Sequence, residues 1–179
     1  MNNSLFPLSV LTLLLAACSG AVHPQASSVA GAPSCSGGTI HGDAELGRLE
    51  HCISVEGDLR VTEVTSLKPL AALERVNGTL AIGPTRELST LDGLENLASV
   101  RTLELTQNRG LINPSALNDL TQAERVTVEM NPRLSKSFGF FDKLPLRDAK
   151  LELSHNAGLE AEGLKPVVTS SRASTIAYR

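Results

Sequence analysis

The 179-residue chain carries 16 Lys and Arg against 19 Asp and Glu, a formal net charge of -3. The two signs are interspersed, so the chain offers no basic footprint for nucleic acid or an anionic membrane surface. One Tyr, four Phe and no Trp make it lean for an interface built on aromatic anchors. Gly-rich phosphate loops, H-E-x-x-H, G-x-S-x-G and paired cysteine clusters are absent from the sequence, and neither a cofactor nor a metal site is expected.

Residues 5–17, LFPLSVLTLLLAA, form an uncharged apolar run that ends in small residues. That pattern fits the apolar region of a secretory signal, and the run is too short for a stable membrane-spanning helix. It closes on Leu15-Ala16-Ala17-Cys18, which resembles the lipobox of bacterial lipoproteins. The resemblance implies removal of residues 1–17, transfer of a diacylglyceryl group to the Cys18 thiol and acylation of the freed amine. The leader segment MNNS departs from the usual pattern in carrying no Lys or Arg. Two or more acyl chains would hold the protein stably on a bilayer, each buried CH₂ contributing about 0.8 kcal/mol. Ser19, rather than Asp, follows the cysteine, and the sorting of many Gram-negative lipoproteins then implies the outer membrane.

Residues 18–34 are expected to form the acylated cysteine and a flexible tether. The stretch SGAVHPQASSVAGAPS lacks periodic apolar positions and is rich in Ser, Ala, Gly and Pro, which gives a root-mean-square reach of roughly 20–24 Å. With Cys18 assigned to lipid, Cys35 and Cys52 are the two cysteines left. An even pair in an exported protein is best read as a disulfide, worth roughly 3 kcal/mol by loop entropy. A zinc site joining these cysteines to His41 or His51 is the alternative, without the C-x-x-C spacing that zinc sites favour.

From residue 35 to residue 179 a single domain is expected. The phrases Leu59-Arg-Val, Leu80-Ala-Ile, Leu103-Glu-Leu, Val126-Thr-Val and Leu151-Glu-Leu begin 21, 23, 23 and 25 residues apart. Each unit is one short strand with a return path, and neither can bury its apolar side without a neighbouring unit. Three residues beyond the second aliphatic stand Val64, Thr85, Asn108, Asn131 and Asn156, and three further on Leu67, Leu88, Leu111, Leu134 and Leu159. Additional leucines at 70 and 73, at 91, 94 and 97, and at 117 and 120 are expected to turn inward along the return paths. This is a leucine-rich pattern, in which corner asparagines bond backbone groups. Asn108, Asn131 and Asn156 are therefore read as a structural ladder. The fold expected is an α/β-type solenoid, a short coil with one narrow parallel sheet and a cap at each end.

Val55-Glu-Gly-Asp-Leu59-Arg-Val61 and Val76-Asn-Gly-Thr-Leu80-Ala-Ile82 share a second signature, with a glycine suited to a bend just before the strand. Over residues 35 to 160 the chain resembles the receptor L-domain family, a leucine-rich-like right-handed coil. The resemblance extends to its opening, with Cys35, a short helix holding Leu46 to Leu49, and Cys52. The later units, such as Val100-Arg-Thr-Leu103, lack the glycine and take the tighter leucine-rich form.

Between the strand aliphatics sit Arg60, Ala81, Glu104, Thr127 and Glu152, which the period of two places on the solvent side. Arg60, Glu104, Thr127, Glu129 and Glu152 are the candidate binding face for a protein or a glycan. Glu104 and Glu152 stand two rungs apart, roughly 10 Å, near the separation of an inverting glycosidase pair. No opposing wall is expected, however, so these carboxylates are read as a solvated face and the chain as a binding module rather than an enzyme. A permanent structural component of an envelope assembly is the second reading. His155 is read as a packed or solvated corner residue. Phe138, Phe140 and Phe141 are expected to plug the coil rather than form an exposed hot spot, and residues from Leu164 onward to cap it. Asn77-Gly78-Thr79 matches a glycosylation sequon and is read as a strand-entry turn.

Overall fold

The computed structural model describes residues 33–135, 150–156 and 175–178. Cys18, the apolar leader, most of the tether, Phe138, Phe140, Phe141 and Leu159 lie outside them. Seven strands form one sheet in chain order: β1 Ser34–His41, β2 Ser54–Thr62, β3 Arg75–Ile82, β4 Ser99–Thr106, β5 Arg125–Glu129, β6 Lys150–Ser154 and β7 Thr175–Tyr178. Every neighbouring pair is parallel. Helix is scarce among the described residues: α1 at Gly42–Leu46 and short 3₁₀ turns at Gly47–Leu49, Lys68–Leu70 and Ser115–Asp119. A single parallel sheet with few helices is compatible with a coil of successive turns.

The repeated aliphatics fall into register. Leu59 pairs with Leu80, Leu80 with Leu103, Leu103 with Val126 and Val126 with Leu151. Leu67, Leu88, Leu111 and Leu134 are buried, as are the leucines at 70, 73, 91, 94, 97, 117 and 120. They join the inward strand residues in one hydrophobic cluster. Full burial of each such side chain contributes about 1.5–3 kcal/mol, a gain open to a unit only when its neighbours cover it.

Two strands go beyond the repeated phrases. In β1, Gly38-Thr39-Ile40 pairs with Leu59-Arg60-Val61, so glycine takes the position of the first aliphatic. In β7, Ile176-Ala177-Tyr178 pairs with Leu151-Glu152-Leu153. The early strands are also longer than the phrases suggest, because β2 and β3 pair at Ser54–Arg75 and Val55–Val76 before they pair again at Leu59–Leu80. The glycine bend therefore lies inside the strand. Gly57 has φ +85°, where a side chain would be strained. Gly78 instead gives way to the backbone of Gly57, where a Cβ would collide. The later strands omit this extra residue, and the register shifts between Val76 and Thr79 where β3 meets β4.

Cys35 and Cys52 form a disulfide with Cα atoms 5.8 Å apart, tying β1 to the segment that enters β2. A bonded pair has no thiolate to offer a metal, so the zinc alternative is removed for these cysteines. The Leu46–Leu49 stretch is a helical turn as expected, divided between α1 and a 3₁₀ turn.

At the strand exits the backbone turns through residues with positive φ: Glu63, Gln107, Met130 and His155, at +53° to +58°. Such a conformation costs a non-glycine residue about 1 kcal/mol relative to glycine. Each of the last three is followed by a buried asparagine whose amide grips the preceding rung. Asn108 Nδ2 donates to the Ile82 carbonyl (3.0 Å), Asn131 Nδ2 to Leu105 (2.9 Å) and Asn156 Nδ2 to Val128 (2.7 Å). The Oδ1 of Asn131 accepts the Asn108 N–H (3.0 Å), and that of Asn156 the Asn131 N–H (3.1 Å). Asn108 Oδ1 accepts the Thr85 hydroxyl at 2.8 Å. Replacing Asn131 with Ala strands a buried donor and a buried acceptor. Urea unfolding of Asn131→Ala should show a loss on the order of 3 kcal/mol, while a loss below about 0.5 kcal/mol would contradict the ladder's role.

Candidate functional site

The outward positions of the sheet form columns. Thr39, Arg60, Ala81, Glu104 and Thr127 succeed one another across β1 to β5, and the backbone register continues through Glu152 and Ala177. Thr106, Glu129 and Ser154 form a parallel column on the exit side. Four of the candidate residues are thus brought onto one face: Arg60 is exposed, and Glu104, Thr127 and Glu129 are partly buried. Glu152 stands in register with Thr127, two rungs from Glu104. Ala81 departs from expectation. At 3 % exposure it is covered rather than solvent-facing, a methyl group set between the longer side chains of Arg60 and Glu104 on adjoining rungs.

Around Ala81 lies a pocket of ≈ 340 Å³ whose lining includes Thr39, Asp58, Arg60, Thr79 and Glu104. Asp58 accepts the Thr79 N–H at 2.7 Å. This bond, then the Thr79 hydroxyl and the nearby charges of Arg101 and Arg60, hold its carboxyl below the usual Asp range. Sequence reading treated Asp58 and Thr79 only as turn residues. Their offset of 21, the same as Leu59 to Leu80, is the signal that places them side by side.

The sequon residues make rung-to-rung bonds as well. Asn77 Nδ2 donates to both carboxylate oxygens of Glu56 at 2.8 Å, alongside the Thr79–Asp58 contact. At the N-terminal end the Thr62 hydroxyl lies 2.7 Å from His41 Nδ1 and donates to the Ile40 carbonyl at 3.2 Å. Among the described residues no group of three His, Cys, Asp or Glu side chains is arranged to hold a metal ion, and no helix is long and apolar enough to cross a membrane.

A larger feature escaped sequence reading. Along the strand exits runs a groove of ≈ 700 Å³ lined by Glu63, Pro84, Arg86, Gln107, Arg109, Met130, Pro132 and His155 among others. It collects the positive-φ residues of four corners together with two arginines. A parallel bridge between Thr85 and Asn108 sets Arg86 and Arg109 at equivalent positions on adjoining rungs. Met130, 48 % exposed, is the one large hydrophobic residue exposed among the described residues. These residues stand four and six places after the first aliphatic of each repeated phrase, but the column of four holds no common residue type and the column of six repeats only its arginine, at Arg86 and Arg109.

Comparison with known proteins gives no match to a family model, to a curated protein or to a solved structure.

Asp43, at the start of α1, anchors the next turn of chain. Its carboxylate accepts the Thr65 hydroxyl at 2.7 Å and the Thr65 N–H at 2.9 Å, and these bonds, the hydroxyl first, draw its pKa below 3.8. A depressed pKa means that the contribution to stability is complete above the unfolded value and lost as pH falls through the folded one. Asp43→Ala should therefore lower Tm by a few degrees at neutral pH. That difference should shrink as the pH is taken below about 4, and a constant difference across thermal scans would show that the carboxylate is not responsible.

Proposed function

We propose that the chain is a cell-envelope lipoprotein in which acylated Cys18 tethers a right-handed, leucine-rich and receptor-L-like solenoid, and that the solenoid binds a protein or a glycan noncovalently through its sheet face. The observation that carries this reading is the register of outward residues. Strand pairing aligns Arg60, Glu104, Thr127 and Glu152 in one column with Glu129 beside it, so a partner would meet charges of both signs on a surface held by the core beneath. The mixed signs favour specificity and orientation over bulk attraction. The disulfide accords with an oxidising, extracytoplasmic compartment. The fit of Leu15-Ala16-Ala17-Cys18 to a lipobox supports the anchor, and Ser19 supports sorting to the outer membrane. Binding on this face needs neither cofactor nor bond-making chemistry.

Simultaneous alanine substitution at Arg60, Glu104, Thr127, Glu129 and Glu152 should weaken a partner captured by crosslinking on intact cells, with thermal unfolding nearly unchanged. Equal capture by the parent and the multiple variant would refute the face assignment. Recovery of the protein solely within a larger assembly, judged by native size, would favour a structural component. Cys18→Ala should abolish incorporation of labelled fatty acid and release the chain in soluble form; full labelling of this variant would refute the anchor.

A further inference from the structure

We propose that the strand-exit groove is a second binding site, one that takes an extended acidic peptide, with a carboxylate held between Arg86 and Arg109 and a neighbouring apolar side chain laid against Met130. The site is separate from the sheet face and does not depend on the reading of that face.

Three observations converge on it. The groove, at ≈ 700 Å³, is about twice the sheet-face pocket of ≈ 340 Å³ and lies within the size range of ligand sites. Its charged lining residues among those described are Glu63 at the β2 end and Arg86 and Arg109 on the next two rungs, and the His155 imidazole lines the β6 end. Among the described residues neither arginine has a carboxylate within ion-pair distance, the ion pairs present being Arg48–Glu45 and Arg75–Glu74. Two guanidinium groups on rungs about 4.8 Å apart can both donate to one carboxylate, an arrangement that planar, multiply donating groups favour.

The third observation concerns the corners. Gln107, Met130 and His155 occupy left-handed backbone that glycine would adopt more readily. Stability alone therefore does not account for side chains at these positions, and all three line the groove. Met130 is in addition an exposed apolar group, set beside Pro132 and next along the edge from the arginines. A cationic pair followed by an apolar patch matches a peptide in which an acidic residue adjoins an aliphatic one. Among the described residues the lining holds no Phe, Tyr or Trp on which a sugar face could stack, which favours a peptide over an acidic glycan.

The test is fluorescence anisotropy with the full lipidated chain in detergent and a fluorescein-labelled decapeptide of alternating Glu and Leu. Saturable binding that weakens with added salt is expected, with no binding of the corresponding Lys and Leu peptide. The Arg86→Gln/Arg109→Gln variant should bind at least about tenfold more weakly. Met130→Gly should also bind more weakly while its Tm equals or exceeds that of the parent, because glycine suits the corner; a purely structural role for Met130 would not separate the two readouts. No binding by the parent, equal affinity in the double arginine variant, or binding of polygalacturonate in place of the peptide would overturn the proposal.

Discussion

At the exits of β4, β5 and β6 the chain passes through a corner whose asparagine is buried away from water, and the polar groups there must find partners. A buried donor or acceptor left alone costs about 1–3 kcal/mol, and the asparagine ladder removes that cost with one residue at each of the corners after β4, β5 and β6. Asn131 and Asn156 use both amide atoms on the rung before them, Oδ1 accepting a backbone N–H and Nδ2 donating to a strand carbonyl. Asn108 does the same with the Thr85 hydroxyl in place of the N–H. The device fixes register as well as energy, because an amide displaced by one position would meet neither partner.

The division of the remaining side chains follows from that register. Strand residues that point inward meet the return-path leucines in the core. Those that point outward form columns whose members are chosen independently, as the sequence Arg60, Ala81, Glu104, Thr127 illustrates. The residues immediately before the ladder point along a third direction, into the groove at the strand exits. One scaffold therefore presents two surfaces, a sheet face with charges of both signs and an edge with a cationic centre.

Much of this was legible in the sequence because the inward positions tolerate few residue types. The aliphatic pairs, the leucine three places past each corner and the asparagines gave the columns, and the pairing of Leu59, Leu80, Leu103 and Val126 follows from them. The candidate face was legible by alternation. β1 was hidden because Gly38 stands where the first aliphatic would have marked it, and what places it is hydrogen bonding to β2. Ala81 shows the limit of alternation, which gives direction but not the reach of neighbouring side chains. The groove was illegible for a further reason: Glu63, Gln107, Met130 and His155 share a backbone conformation and no chemistry, so no residue type repeats.

The asparagine ladder locks successive rungs together, and amide hydrogen exchange of the full chain tests this directly. The N–H groups of Asn108 and Asn131, each bonded to the next asparagine, should be among the slowest to exchange, opening only with global unfolding. Exchange at these two amides as fast as at exposed Glu87 would mean that the corners open freely and that something other than the ladder holds the sheet in register.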